Sequence, residues 1–306
     1  MKSRVILATL LVTLYACSSE HVDPNPTYLL EVDGQMYEAT TLWSGGNESC
    51  GTLYLDIDYF LQDMHYEMRF EISKKGHLFR AYSIVRHIPL KQRVIPRYYT
   101  PNYNAPSTFE LSGFSFDELT GHVEFKYNGT VFFEDDNSQT LGFAGYVNTE
   151  LNMDHPCTFG RSGLEYESEE IDLFSLTLSR DKWSTGHQGH YFFSYNGYRI
   201  YLYTSGDFWN YPLGEEMEFQ PNDYTIDGVG VEFGELVGPM MADQISTVSD
   251  FEWKDYETSG TIVLENKYIE NGDRMISGKM YLTIRDQGKQ LYYLDGVSFR
   301  TGSYEN

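Results

Sequence analysis

The chain has 306 residues, of which 45 are acidic and 22 are Lys or Arg, so its formal charge at neutral pH is −23. A chain of this charge repels the phosphates of DNA and RNA, which argues against a nucleic-acid partner. Its length is enough for two domains of ordinary size, each with a core of its own.

Residues 1–16 have the pattern of a secretory signal peptide. Lys2 and Arg4 precede an apolar run that ends at Ala16. This run rises only about 18 Å as a helix, against about 30 Å for the hydrocarbon core of a bilayer. The sequence predicts cleavage and export rather than a membrane span.

The end of this run, Leu14-Tyr15-Ala16-Cys17, resembles the lipobox of bacterial lipoproteins. The resemblance implies cleavage before Cys17, a diacylglycerol on its thiol, and membrane attachment through that lipid. Residues 17–27 are short, polar and rich in proline, which predicts a flexible tether. An ordinary secreted protein with an unrelated cysteine is the alternative.

Residues 28–41 predict a β-hairpin, because two β-prone runs meet at Asp33-Gly34, a dipeptide that accepts the positive φ angles of a type I′ turn. Apolar and polar residues then alternate, as in 66–72, and no long stretch has capped helical spacing. The pattern predicts an all-β fold built from antiparallel β-sandwich or flattened-barrel domains.

A set of landmarks recurs in the same order in the two halves of the chain, and one of them matches Arg69 with Arg199. Their separation is too long for a solenoid unit, so the sequence predicts two tandem domains related by internal duplication, over 28–151 and 171–306. Residues 152–170 lose the alternation and gather proline, glycine and acids, which predicts a solvated linker.

Both ends of this predicted β region resemble one group of proteins. The V-D-G opening at 32–34 and the finish with S-G-T-I at 259–262, I-S-G at 276–278 and D-G at 295–296 resemble small all-β lipoproteins of unassigned function from the Bacteroidota. The resemblance implies a β-sandwich or flattened barrel, and together with the lipobox it leads us to expect an outer-membrane lipoprotein that faces the periplasm or the cell surface. It implies no chemistry, because those proteins are uncharacterised. The surface address comes from Ser18-Ser19-Glu20, directly after the cysteine, which resembles the acidic export signals that send lipoproteins of the Bacteroidota to the cell surface.

Two cysteines remain in the mature chain, Cys50 and Cys157. An even pair outside the reducing cytosol allows one disulfide. The alternative is two separately buried thiols, since nothing in the sequence brings the two residues together.

Known catalytic and metal-binding motifs are missing from the sequence, which predicts no cofactor, no metal site and no enzymatic activity. His187 and His190 are a close pair, but residues three apart on a strand point to opposite faces, so they are a poor start for a zinc site. The many acidic residues leave a glycosidase-type carboxylate pair open, so an unrecognised hydrolase is the least favoured alternative.

Aromatic residues make up 16% of the chain, and some of them gather in predicted loops. In 207–212, Trp209 and Tyr211 flank Asn210 just after Asp207. If this segment is extended, both rings lie on one face and form a shelf for a sugar ring. The competing interpretation is that the rings plug the open end of the sandwich.

The sequence therefore favours a lipid-anchored, non-catalytic binding protein of the cell envelope, with a glycan or an envelope protein as its partner. A structural or accessory subunit of an outer-membrane assembly is the alternative.

Overall fold

The computed structural model describes residues 27–37, 40–61, 63–88, 95–153, 157, 160–176, 178–182, 188–221, 228–238 and 251–302. The predicted signal peptide and Cys17 lie outside these residues, as does His187. In the described part of the chain the all-β prediction is confirmed, with twenty strands in two antiparallel sheets of ten strands each.

The first sheet contains the strands of the N-terminal half. They are β1 (Thr27–Val32), β2 (Gln35–Tyr37), β3 (Thr40–Ser49), β4 (Thr52–Leu61), β5 (Met64–Ser73), β6 (Leu78–His87), β7 (Arg97–Tyr99), β8 (Phe109–Phe116), β9 (His122–Phe133) and β10 (Asp136–Glu150). Their order is β2-β1-β10-β9-β7-β6-β5-β4-β3, with β8 also paired to β9. Asp33 and Gly34 connect β1 to β2 with φ angles of 49° and 80°, as a type I′ turn requires.

The second sheet contains the strands of the C-terminal half. They are β11 (Gly163–Glu167), β12 (Asp172–Ser175), β13 (Leu178–Lys182), β14 (Gln188–Phe193), β15 (Tyr198–Thr204), β16 (Glu216–Phe219), β17 (Val229–Gly238), β18 (Glu252–Glu270), β19 (Asp273–Asp286) and β20 (Lys289–Gly302). Their order is β12-β11-β20-β19-β18-β17-β15-β14-β13, with β16 also paired to β18.

Each sheet curls around a core of its own. Leu30, Leu55, Phe70, Phe125 and Phe143 come from five strands of the first sheet, are almost fully buried, and pack in one cluster. A flat sheet cannot bring its two ends to one cluster, so the sheet is bent into a flattened barrel.

Backbone hydrogen bonds help to close both barrels. After β10, the N–H of Asn152 donates to the carbonyl of Gly46 on β3 at 2.9 Å, and its carbonyl accepts from Glu48 at 3.1 Å. In the second barrel the N–H of Tyr195 donates to the carbonyl of Phe174 on β12 at 3.1 Å. A second core, separate from the first, fills this barrel.

The two sheets share a plan around their central strands, in agreement with the predicted duplication. Arg69 on β5 and Arg199 on β15 each lie on the third strand from a free edge, formed by β3 in one sheet and β13 in the other. In each sheet the opening hairpin pairs with the last strand, through β1 and β10 or through β11 and β20.

Later landmarks of the repeat fall on neighbouring strands instead of equivalent ones. Another landmark of the repeat, Ala144-Gly145, matches Ser277-Gly278 in the sequence. Gly145 lies on β10, the seventh strand from its edge, whereas Gly278 lies on β19, the sixth. The offset arises because β18, with 19 residues, pairs directly with β17 through 252–256 and with β19 through 257–270. In the first sheet, the short β7 stands between β6 and β9.

The predicted linker 152–170 is partly a strand, which corrects the sequence-based boundary. β11 lies inside it, and Leu164 is buried while Glu165 and Glu167 are exposed. The acids occupy the solvent-facing positions of a strand in which buried and exposed residues alternate. The neighbouring glycines and prolines hide this alternation in the sequence.

In the part of the chain that the structure describes, no helix combines the length and apolar character needed to cross a membrane.

Candidate functional site

Aromatic rings join the two barrels. Tyr103, which follows β7, stacks on Phe193 of β14 with ring centroids 4.4 Å apart and meets Phe251 edge-on at 5.1 Å. Its carbonyl accepts the N–H of Gly197 at 2.7 Å. Tyr103 itself has φ of 58°, a strained conformation that this packing holds in place.

His77 forms a second contact between the barrels. Its ring stacks on Tyr195 at 4.6 Å and packs against Phe174 at 4.5 Å, and its Nε2 lies 3.3 Å from Oδ2 of Asp172. The Tyr195 hydroxyl donates to the same carboxylate oxygen at 2.8 Å. Burial lowers the pKa of His77 below its usual value, because desolvation outweighs the attraction of Asp172, and burial with this hydrogen bond raises the pKa of Tyr195.

The segment between the two barrels includes Cys157 and residues 160–162. A disulfide between Cys50 and Cys157 fastens this segment to the first barrel. Their Cα atoms are 4.8 Å apart, within the usual range for a disulfide. Cys50 lies in the turn between β3 and β4 with φ of 54°. The alternative of two separate thiols is therefore not what the structure shows.

Carboxylates of the second barrel hold the same segment at its other end. The N–H of Gly160 donates to Oδ2 of Asp273 at 2.8 Å, and the N–H of Arg161 donates to Oε2 of Glu270 at 2.7 Å. Both acids flank the turn between β18 and β19. Residues 160–161 are thus anchored to one barrel and, through Cys157, to the other.

A cavity of about 130 Å³ opens where this segment crosses the first sheet. Its lining comes from the turn before β4, from β4, β5 and β6, from the segment itself and from the residue after β12: Cys50, Thr52, Tyr54, Glu71, Phe79, Arg161, Ser162 and Leu176. The Tyr54 ring is 41% exposed. Partial burial and the nearby Glu71 carboxylate raise the pKa of Tyr54, so its hydroxyl is neutral at physiological pH.

A second cavity, of about 320 Å³, adjoins the first, and Leu176 borders both. Its lining comes from the strands at the end of the second sheet: Gly163, Leu164, Glu165, Phe174, Ser175, Leu176, Ser298, Phe299 and Arg300. We call the two cavities together the junction groove.

The chemistry of the junction groove suits a ligand with both apolar and polar faces. Tyr54 and Phe79 offer ring surfaces, while hydroxyl, carboxylate and guanidinium groups lie beside them. The carboxylates are already engaged by cations, Glu71 by Arg80 at 3.5 Å and Glu165 by an ion pair with Lys75.

Comparison with known proteins gives no relative. No protein-family description, no curated protein and no solved structure matches this chain. The function of this protein therefore has to be inferred from the geometry and chemistry of the site itself.

The predicted shelf at 207–212 has a different geometry from the extended one that would align its rings. Phe208–Asn210 is a turn of 3-10 helix, and the Asp207 side chain caps it by accepting the N–H of Trp209 at 2.9 Å. Trp209 and Tyr211 pack against the second core and are half-buried, while Asn210 is exposed. This geometry corresponds to the plug interpretation.

Three contacts hold Trp209 and Tyr211 in place. The Arg274 guanidinium lies over Trp209, 5.4 Å from the ring centroid. The Thr204 hydroxyl donates to the Tyr211 hydroxyl at 2.8 Å, and Lys267 donates to the Tyr211 carbonyl at 2.5 Å.

His190, the other residue singled out as a weak metal candidate, is fully buried in β14. Its Nδ1 lies 2.9 Å from the Thr301 hydroxyl, and its ring packs near Phe208. Among the described residues, no group of three or more His, Cys, Asp and Glu side chains has an arrangement that could hold a metal ion.

Apart from Cys50, sequence reasoning missed the residues of the junction groove. One signal was present: Tyr54 occupies the solvent-facing position between the inward Leu53 and Leu55, so the alternation places an aromatic ring at the surface. Arg161 gave no signal, because its position depends on acids that follow it by more than a hundred residues.

Proposed function

We propose that this protein is a lipid-anchored, non-catalytic binding protein of the cell envelope and that its junction groove takes a carbohydrate. The observation that carries the proposal is the partly exposed Tyr54 ring beside Phe79, Glu71 and Arg161 in a single cavity.

A sugar ring has apolar C–H faces and a rim of hydroxyls. The faces stack on aromatic rings such as Tyr54, and the hydroxyls exchange hydrogen bonds with hydroxyl, carboxylate and guanidinium groups. Thr52, Glu71 and Ser162 supply such partners around the ring. A site of this kind works best when its walls are fixed, because ordering mobile walls lowers affinity.

The walls of the junction groove are fixed on both sides. Cys50 is bonded to Cys157, and the backbone of Arg161 is bonded to Glu270. Tyr103 and His77 hold the second barrel against the first. The site is therefore built before the ligand arrives.

The anchoring part of the proposal rests on the sequence around Cys17, with its short positive region, apolar run and lipobox-like end. A diacylglycerol at Cys17 would hold the protein at the outer membrane, with the tether 17–27 between the lipid and the first barrel.

An array of plant, mucin and bacterial glycans tests the proposal. The lipidated protein in detergent should bind a subset of the array, and Tyr54→Ala should abolish that binding. Tyr293→Ala is the matched control, since Tyr293 is also exposed, at 53%, but does not line the groove. If both variants bind the glycans, or if neither does, the assignment of the groove is contradicted.

A further inference from the structure

Arg161 lines the smaller cavity of the junction groove, and its guanidinium makes no ion pair with a carboxylate of the described residues. Its only polar contact there is the backbone hydrogen bond to Glu270. Arg80, by contrast, is paired with Glu71. In a chain with twice as many acids as bases, a guanidinium left unpaired in a cavity is available to an anion from outside.

The backbone of Arg161 is held more firmly than that of an ordinary surface residue. The donated N–H groups of Gly160 and Arg161 and the disulfide at Cys157 fix the chain up to Arg161, and Gly163 pairs with β20 two residues later. The Arg161 side chain therefore extends from a fixed backbone at the cavity that Tyr54, Phe79 and Ser162 also line.

We infer that the ligand of the junction groove is an acidic sugar whose carboxylate pairs with Arg161 while its ring stacks on Tyr54. The inference rests on the proposed function and names the class of glycan. A guanidinium presents two parallel N–H donors that match the two oxygens of a carboxylate.

Charge also favours a monoanionic carboxylate over a doubly charged phosphate. Glu71 lines the same cavity, and the whole chain carries a charge of −23. Each additional negative charge on a ligand is repelled by this field, whereas one carboxylate is balanced by one guanidinium.

Trimers of galacturonic, glucuronic and mannuronic acid, each with its methyl ester, test the inference by calorimetric titration of the full lipidated chain. The ester keeps the ring and removes the charge. The wild-type protein should bind at least one acid trimer, and Arg161→Gln should bind that trimer about tenfold more weakly, as expected for one charge-assisted contact. Both proteins should bind the ester equally, because the ester cannot form the ion pair.

Lys289→Gln is the control, because it removes the same charge at an exposed position, the first residue of β20. It should bind the acid trimer as the wild type does. Thermal unfolding of Arg161→Gln should match the wild type, since the contacts that anchor Gly160 and Arg161 to the second barrel are donated by backbone N–H groups.

The outcomes separate the two proposals. The inference is overturned if the wild type and Arg161→Gln bind the acid trimer with equal affinity. It is also overturned if the ester binds as tightly as the acid, or if the wild type binds none of the three acid trimers. Binding of neutral glycans on the array that depends on Tyr54 would leave the proposed function standing without it.

Discussion

Tyr103 and Phe193 stack across the junction of the two barrels with their ring centroids 4.4 Å apart, and they come from different sheets. The contact continues to Trp253, whose ring centroid is 5.7 Å from that of Phe193 and whose face carries the Arg199 guanidinium at 4.8 Å. A ring of the first barrel is thus inserted into an aromatic cluster of the second, and this contact holds the two barrels together.

Replacing Tyr103 with alanine should lower the free energy of unfolding by about 2 to 4 kcal/mol, because the half-buried ring loses its aromatic contacts and leaves a gap. The φ of 58° at this position is equally unfavourable for alanine, so the loss reports on the ring. Urea denaturation of the variant measures it. Tyr293→Ala, at an exposed site, should cost less than about 0.5 kcal/mol, and similar costs for both variants would show that the Tyr103 contact contributes little.

The elements that short-range rules control were predictable from the sequence. Asp33-Gly34 marks a turn because few other dipeptides accept two positive φ angles, and the alternation through Phe70 sets which side chains enter the core. The all-β architecture follows from many such local signals.

The groove was not predictable because it depends on contacts between distant residues. Cys50 and Cys157 are 107 positions apart, and no local pattern indicates that they meet. At 207–211 a local signal was present but ambiguous. Asp207 is a good helix N-cap, yet the alternation of Trp209, Asn210 and Tyr211 also fits a strand, and the burial of Phe208 in the core decides between them.

The junction should weaken as the pH falls through about 6.5, the ordinary pKa of histidine. Burial lowers the pKa of folded His77, so the unfolded chain takes up the proton first, and stability rises with pH through this window. Lys75 adds to the effect, whereas Asp172, Glu165 and Glu167 oppose it without reversing it. The free energy of unfolding should therefore be smaller at acidic than at neutral pH.

The variant His77→Phe isolates this effect, since it keeps an aromatic ring against Tyr195 and Phe174 but cannot be protonated. Its stability should depend less on pH than that of the wild type. Parallel pH profiles of the two proteins would show that His77 does not titrate on unfolding.

Removing the disulfide should destabilise the protein by about 4 to 5 kcal/mol, the chain-entropy estimate for a loop of this length. The pair Cys50→Ser and Cys157→Ser, compared with the wild type in urea, measures the difference. Reductant should lower the stability of the wild type by a similar amount and leave the double variant unchanged. If reductant does not change the urea denaturation of the wild-type protein, this prediction is contradicted.

Changing Cys17 to alanine should release the protein from the membrane fraction, because the acyl acceptor is lost. Fractionation of cells with detection of the chain in soluble and membrane pools checks this. Cys50→Ser is a control that removes a different thiol and should stay in the membrane. A Cys17→Ala variant that remains membrane-bound would contradict the predicted lipid anchor.

Trp209→Ala should lower the free energy of unfolding by about 2 to 4 kcal/mol, since the half-buried ring packs against the second core. Arg274→Gln should cost only about 0.5 to 1 kcal/mol, because it removes the cation over the ring and keeps the packing. Urea denaturation measures both changes, and Trp209→Phe should restore most of the loss.

The same Trp209 variant distinguishes a plug from a sugar shelf. If the ring serves packing, the protein that remains folded at low temperature should keep its glycan binding, because the junction groove lies elsewhere and does not include Trp209. Wild-type stability with binding abolished would instead mean that the ring contacts the ligand. In that case the Tyr54 variant should bind normally, and the carbohydrate site would belong to the 3-10 turn rather than to the junction groove.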